Sequence, residues 1–495
     1  MAREMPVSEL LAALPVKTVV GAPPSSVASI TDDSRRVEPG SCFVATPGLR
    51  QDARRFVPEA VRRGATLIVT EGGPLPDVAV AQVLVPSARE SLARLADTFY
   101  GHPSRELLLV GITGTNGKTT TSYLVEALLR ARGLATGVIG TNQYVLGTER
   151  RPAHHTTPDA LELQSLLALM RERGIRGVAM EVSSHALTLS RVDGLAFDVA
   201  VFTNLTQDHL DFHGTVAEYR RAKRRLFELL AGSPKPRRTA VINGDDSSGQ
   251  AMVEGLDLTV LTFGLGEGAR VRAVDYASTI EGLRMTAETP VGPLALTSPL
   301  IGEHNVTNLL GAVATGLALG LDPATIGGAL AAVSGVPGRF EQVQAGQPFL
   351  VVVDYAHTPD ALERVLTTAR KITSGRLGVV FGCGGDRDRT KRPIMGEIAA
   401  RLADRAWITS DNPRSEDPDT IVDEVLAGTS GDAEREVDRR RAIALAVESA
   451  EPGDVVVIAG KGHEQGQEFE GGRKEPFDDV TVAREALRAA LGAPS

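Results

Sequence analysis

Gly111-Ile112-Thr113-Gly114-Thr115-Asn116-Gly117-Lys118-Thr119-Thr120 follows the apolar run Leu107-Leu108-Leu109-Val110 and precedes a helical pattern from Thr121 to Arg132. The order reads as strand, glycine-rich turn and helix start. Glycines let backbone fold tightly round an anion, and the first N–H groups of a helix lack partners at its positive dipole end. A pocket of this kind suits a polyphosphate, with Lys118 reaching the β- and γ-phosphates and the Thr119 hydroxyl available to Mg²⁺. ATP or GTP binding is therefore expected. The usual G-x-x-x-x-G-K-[ST] spacing calls for a glycine at Ile112, and Gly111 stands one place early.

At 495 residues the chain exceeds what one hydrophobic core usually supports, which predicts two to four domains. A formal charge of −9 argues against a nucleic-acid or membrane-surface protein, while leaving room for a local basic pocket. The only cysteines are Cys42 and Cys383, far apart in sequence, so a reducing compartment is the natural reading. The opening MAREMPVSELLAALP has no apolar signal-peptide core, and no stretch approaches the ~18 apolar residues of a membrane span. A monomeric cytoplasmic protein without membrane insertion is expected.

Residues up to about Pro103 read as a small α/β domain with strands at Ala28-Ile30, Ser41-Ala45, Ala65-Val69 and Gln82-Val85 and a helix from Ser87 to Tyr100. Strands Val178-Glu181, Val199-Thr203 and Ala240-Asn243 then alternate with helices, among them Val216 to Leu230, which predicts a parallel sheet wrapped by helices. Val271 to Pro299 is Thr- and Val-rich without helical periodicity and reads as a β-meander insert, after which a helix from His304 to Leu319 closes the domain. Gly335-Val336-Pro337-Gly338-Arg339 has the turn residues of a linker. Beyond it, strands Leu350-Asp354, Gly378-Phe381, Ala406-Thr409 and Val455-Ala459 form a Rossmann-like series without G-x-G-x-x-G. The expected division is an N-terminal domain at 1–104, a central phosphate-loop domain at 105–337 and a C-terminal domain at 338–495.

Open α/β sheets place ligands at strand ends. Glu181 ends one strand and Asn204 to His209 follow another, so Glu181 and His209 are candidates to hold a divalent cation with Thr119. Each can equally cap a helix or satisfy loop amides.

GITGTNGKTTT, EVSSHAL, TNLTQDHLDFHG, Tyr219 to Lys223, GEHNVTNLLGA, VPGRFE and VDYAHTPDAL occur in the order and approximate spacing of the Mur ligases, which the chain resembles over all three domains. The resemblance implies an ATP- and Mg²⁺-dependent amide ligase of peptidoglycan precursor synthesis. The γ-phosphoryl of ATP would move onto the D-glutamate γ-carboxylate of UDP-MurNAc-L-Ala-D-Glu, and an amine would attack the acyl phosphate. Two anions must approach, repelling by about 4 kcal/mol at ~4 Å and an effective dielectric near 20, so cations are required. It further implies nucleotide contacts at Gly114, Thr115, Asn116, Gly117, Lys118, Thr119, Thr120, Asn305, Arg339, Asp354 and His357, with the third domain closing to finish the ATP site. Catalytic and metal roles fall on Lys118, Thr119, Glu181, His209 and Lys223, the last as a CO₂-derived carbamate. Taken alone, Lys223 reads as a solvated helix lysine.

By the same resemblance Asp33-Ser34-Arg35 stands where the family contacts uridine, with Ser34 a substrate contact. Leu49 replaces a histidine common in the neighbouring loop Gly48 to Asp52. Thr156, Thr157, Ser183 and Arg191 match positions that hold the muramoyl peptide, although Thr-Thr-Pro also suits an N-cap. Asp411-Asn412-Pro413-Arg414 matches enzymes that add diaminopimelate. Arg414 can pair with the second carboxylate of meso-diaminopimelate, which lysine lacks; Arg387, Gly460 and Glu464 match the remaining contacts. The bland alternative is an Asn-Pro turn with a surface arginine. A folylpolyglutamate synthase shares the ATP core, and Asp33-Ser34-Arg35 with D-N-P-R speaks against it; a nucleotide-dependent switch would have no use for Lys223.

Overall fold

The computed structural model describes residues 4–48, 52–206, 208–429 and 433–492. They fall into two compact units, the first Met1–Arg272, Glu288–Gly292 and Thr307–Ala329, the second Ala273–Ala287, Pro293–Val306 and Leu330–Ser495.

Besides a two-stranded ladder of Met5–Pro6 with Ser26–Val27, the first unit carries a smaller and a larger sheet. The smaller runs in the order Thr18–Val20, Ala81–Val85, Ala65–Glu71, Ser41–Ala45, Ser29–Thr31, parallel except at the Thr18–Val20 edge. Ser41–Ala45 is buried along its whole length, as the covered strand of a parallel sheet must be. Helix Ala88–Phe99 starts where Ser87 accepts from the Glu90 amide, the S-x-x-E arrangement of a capping box.

The larger sheet places Leu108–Thr113 between Gly177–Glu181 and Val199–Phe202, with Thr136–Ile139 beyond the former and Thr239–Asn243 and Thr259–Gly264 beyond the latter, all parallel. From Leu108–Thr113 the chain first builds one side of the sheet and later the other. Its C-terminal end is thus the switch point, where the diverging connections open a crevice. The phosphate loop emerges there, followed by helix Lys118–Ala131.

The second unit has a sheet in the order Glu341–Gln342, Leu350–Asp354, Val455–Ala459, Leu377–Phe381, Arg405–Ile408, Ala433–Arg435, parallel except for the first pair. The chain passes from Leu350–Asp354 to Leu377–Phe381 and fills the gap between them last, which creates a second crevice at the ends of Asp354, Phe381, Ile408 and Ala459. Strands Gly282–Glu288 and Leu294–Ser298 pair as an antiparallel hairpin, within the stretch read as a meander. Among the described residues no helix is long and apolar enough to cross a membrane.

Candidate functional site

The early glycine has a packing cause. Gly111 lies inside the strand, where a Cβ would sit 2.7 Å from the Phe197 ring. The loop proper starts at Gly114, where a Cβ would lie 1.8 Å from Thr203 Oγ1, and ends at Gly117, the left-handed N-cap of the loop helix with φ +84°. Both positions exclude a side chain. Thr115 and Asn116 are tied to the adjacent strand end: the Thr115 amide donates to Asn204 O at 2.8 Å and the Asn116 amide to Asn204 Oδ1 at 2.9 Å. Lys118 Nζ folds back to the carbonyls of Gly114 and Thr115, at 3.0 and 2.8 Å. Thr119 and Thr120 are buried in the first helical turn.

Glu181 is buried beside this helix start. Its carboxylate accepts from Thr119 Oγ1 at 3.1 Å, from the Thr141 amide at 2.8 Å and from Thr141 Oγ1 at 3.0 Å. Because the Thr141 proton goes to Glu181, Thr156 must donate across the 3.1 Å between the two threonine hydroxyls. A chain Thr119, Glu181, Thr141, Thr156 thereby joins the phosphate loop to the Thr156-Thr157 segment. Thr157 does not cap the following helix. Its hydroxyl donates to Glu181 O at 2.9 Å and accepts from the Ser183 amide at 3.0 Å, while Arg191 grips the Thr157 carbonyl and Asp159 at 2.9 Å each. Thr141, at the end of strand Thr136–Ile139, was not among the sequence candidates; its strand-end position was the available signal.

Lys223 departs from its solvated reading. It lies in helix Val216–Ala231 on the buried stripe Tyr219, Lys223, Leu226, Phe227, Leu230, the spacing of a core-facing surface, and is 1% exposed. Its Nζ stands 4.3 Å from the centre of the Tyr219 ring. Among the described residues no carboxylate or other acceptor engages the ammonium. Burial, reinforced by the like charge of Lys118 and opposed by Asp208, holds this amine well below the ordinary lysine range. Burial also pushes the Tyr219 hydroxyl, paired with Thr115 at 3.1 Å, up to about 12. His209 has φ +53° and stacks edge-on to His185 at 5.0 Å. Among the described residues no group of three or more His, Cys, Asp or Glu side chains is placed to hold a metal alone. Ser34 is buried and opens a short turn in which Asp33 and Arg35 pair with each other, the Arg35 side chain 82% exposed. Leu49, Arg50, Gln51 and Gln207 lie outside the described residues.

In the second unit, Asp354 accepts from the Phe340 amide at 2.7 Å; burial pushes its carboxyl up against the pull of Arg339. Arg339 lies 5.3 Å from the Tyr355 ring, and Tyr355 packs on His357 and His463 at 4.6 and 5.0 Å. Burial and Arg339 bring His463 down to about 4. Asn305 Nδ2 donates to Ile301 O at 2.7 Å.

The D-N-P-R loop meets the G-K-G-H-E segment in the second crevice. Asn412 donates to Glu464 Oε2 at 2.9 Å and accepts from Lys461 Nζ at 2.9 Å. Lys461 is fully buried and lies 3.3 Å from Glu464 and 3.9 Å from Asp411. Sequence reasoning passed over Lys461, whose only signal was its place inside the G-K-G-H-E segment. A Cβ at Gly460 would meet Asp411 Oδ2 at 2.7 Å. Pro413 leads into Arg414, which takes φ +51°, a conformation that persists in a bulky residue only where its surroundings enforce it. Arg414 donates to Gly385 O at 2.8 Å and to Glu468 at 3.2 Å. Arg387 is exposed and donates to the Asp386 carbonyl. Arg392, wholly buried, binds Glu416 and Glu424 and so pins the Asp386 loop, whose amide also donates to Glu416.

The chain has relatives among known proteins. Residues 112–316 match the Mur ligase middle domain and residues 338–462 the Mur ligase, glutamate ligase domain. A Bacillus cereus protein named "UDP-N-acetylmuramoyl-L-alanyl-D-glutamate--2,6-diaminopimelate ligase" is 47% identical over 468 residues, covering 94% of this chain and 95% of its own. A Gloeobacter violaceus protein of the same name is 49% identical over 470 residues, covering 94% of each chain. A solved structure of an enzyme of that name is 34% identical, with a TM-score of 0.74 over 98% of this chain and 99% of its own. Folylpolyglutamate synthase from Mycobacterium tuberculosis, 19% identical with a TM-score of 0.60 over 82% of this chain and 96% of its own, shares the fold alone. With its phosphate-loop sheet, its second parallel sheet and near full-length identity to these relatives, the chain belongs to the Mur ligase family.

Proposed function

We propose that the chain is an ATP-dependent amide ligase that joins meso-diaminopimelate to the D-glutamate γ-carboxylate of UDP-MurNAc-L-Ala-D-Glu in the cytoplasm. The observation that carries this reading is the 47–49% identity, across 94% of the chain, to ligases named for that substrate pair.

The loop residues Gly114 to Thr120 hold the β- and γ-phosphates of ATP, and Lys118 leaves its carbonyl partners to meet them. Asn305, Arg339, Asp354 and His357 are assigned to the rest of the nucleotide. Thr119 and Glu181 suit Mg²⁺, which is bound by one or two protein oxygens together with phosphate and water and needs no all-protein cage. His209 is the third protein group assigned there. When bound, that ion neutralises phosphate charge during transfer to the γ-carboxylate. Lys223 supports carbamylation because CO₂ adds only to a neutral amine, and burial beside Lys118 favours that form. The carbamate then adds an anion where, among the described residues, no acceptor engages the amine. Ser34, Thr156, Thr157, Ser183 and Arg191 are assigned to the nucleotide-sugar peptide. Arg387, Asp411, Asn412, Pro413, Arg414, Gly460 and Glu464 are assigned to diaminopimelate, with Arg414 reading its second carboxylate and Glu464 its distal ammonium.

The functional domains are read as 1–104, 105–337 and 338–495. Phosphate release tests the assignment. Turnover is expected only with ATP, the UDP-muramoyl dipeptide and diaminopimelate together; release with a folate acceptor, or with none, overturns it.

A further inference from the structure

We propose that Glu468 is an internal stand-in for the second carboxylate of the incoming amino acid, neutralising Arg414 in the empty site and leaving it when that carboxylate binds. The inference rests on the reading of Arg414 as the diaminopimelate contact and adds a residue that tunes how tightly that contact binds.

Glu468 ends strand Gly466–Glu468, which forms a short hairpin with Lys474–Pro476. Its carboxylate lies 3.2 Å from Arg414 Nε, and the two side chains are 33% and 22% exposed. This ion pair is not what holds the loop in place. The Arg414 amide donates to the Glu468 carbonyl at 3.0 Å, the Glu468 amide to Asn412 Oδ1 at 3.0 Å, and Gln467 Nε2 to the Asp411 carbonyl at 2.8 Å. The guanidinium is oriented independently by its bond to Gly385 O at 2.8 Å. Backbone and amide contacts therefore clasp the D-N-P-R loop to the hairpin, and the Glu468 side chain is the part that can swing away without undoing them.

A largely buried guanidinium without a counter-ion is costly, so the empty site needs an acid of its own. A ligand carboxylate arriving at Arg414 meets Glu468 as a like charge and must exchange with it. An amino acid without a second carboxylate has nothing to exchange and is left to bind beside an intact ion pair. Glu468 thus competes only with a ligand that carries the second carboxylate, and it tempers the preference that the Arg414 contact creates.

The test uses steady-state phosphate release by the full chain at saturating ATP and UDP-muramoyl dipeptide, with meso-diaminopimelate or L-lysine varied. Glu468→Gln is expected to lower KM for diaminopimelate at least threefold, with KM for ATP and kcat within twofold and KM for lysine unchanged or higher. Glu468→Asp, whose shorter side chain reaches Arg414 less well, is expected to move KM in the same direction by less and serves if the glutamine variant fails to fold. An unchanged or raised KM for diaminopimelate in the variants overturns the proposal and makes Glu468 an orienting partner of Arg414. Absence of diaminopimelate-dependent turnover in the unmodified chain would instead remove the functional reading itself.

Discussion

Each unit buries a lysine at the ends of its sheet, and the two are treated in opposite ways. Lys461 is enclosed by Asn412, Glu464 and Asp411. Lys223 faces an aromatic ring and the like charge of Lys118. Burying an ammonium is costly in both places. Where acceptors surround it, the side chain ties its neighbours together. Where, among the described residues, none engages it, the amine is pushed toward its neutral, nucleophilic form. The same side chain is thus a hydrogen-bonded anchor in one crevice and a reactive group in the other.

The largest expected effect tests the reactive member. Lys223→Ala should lower kcat by about 10³-fold, the scale of losing a preorganised charge at the reacting centre, with partial rescue by short carboxylic acids. Full activity without rescue would end the contrast. Next, Arg414→Ala should raise KM for diaminopimelate roughly 100-fold while leaving KM for ATP within twofold, because a site built for a charged group is left unpaired; equal effects on both substrates would detach Arg414 from amino-acid choice. Lys461→Met leaves Glu464 and Asp411 without their cation and should destabilise the fold by about 3 kcal/mol by urea unfolding, whereas the same substitution at Lys223 should be neutral or stabilising. If both substitutions destabilise alike, the two lysines are not opposites.

The smallest effect is in pH dependence. The folded state holds Lys223 below the ordinary lysine range, so between its folded value and about 10.4 the unfolded chain carries the extra proton. Stability then rises with pH across that window, by at most about 1.4 kcal/mol per unit. In bicarbonate-free buffer the unmodified chain should gain stability relative to Lys223→Met as pH is raised there; a constant difference would show that Lys223 is not depressed.

Much of the architecture was legible because parallel strands are apolar throughout and end in distinctive residues. Leu350-Asp354 and Val455-Ala459 were read with the bounds observed, and Ala406-Thr409 was displaced by one residue at each end, since the strand is Arg405–Ile408. The early Gly111 looked like a flaw in the phosphate loop only because the Phe197 ring that requires it lies 86 positions downstream in sequence. Thr141, Lys461 and Glu468 escaped notice for a related reason: a threonine, a lysine or a glutamate acquires meaning from what stands opposite it. Lys223 could have been placed on the buried stripe from the spacing of Tyr219, Leu226, Phe227 and Leu230, but the depression of its amine by burial and by Lys118 could not.

The sequence by itself determined the order of strands and helices, the glycine-rich turn and the ionisable residues at strand ends, because these follow from neighbours a few positions apart. Tertiary structure alone decided which of those charges are paired. Thr119 meets Glu181 across 62 positions, Arg414 meets Glu468 across 54 and Thr115 meets Tyr219 across 104. Burial and pairing set the protonation and reactivity of a group, and both depend on atoms that only folding brings together.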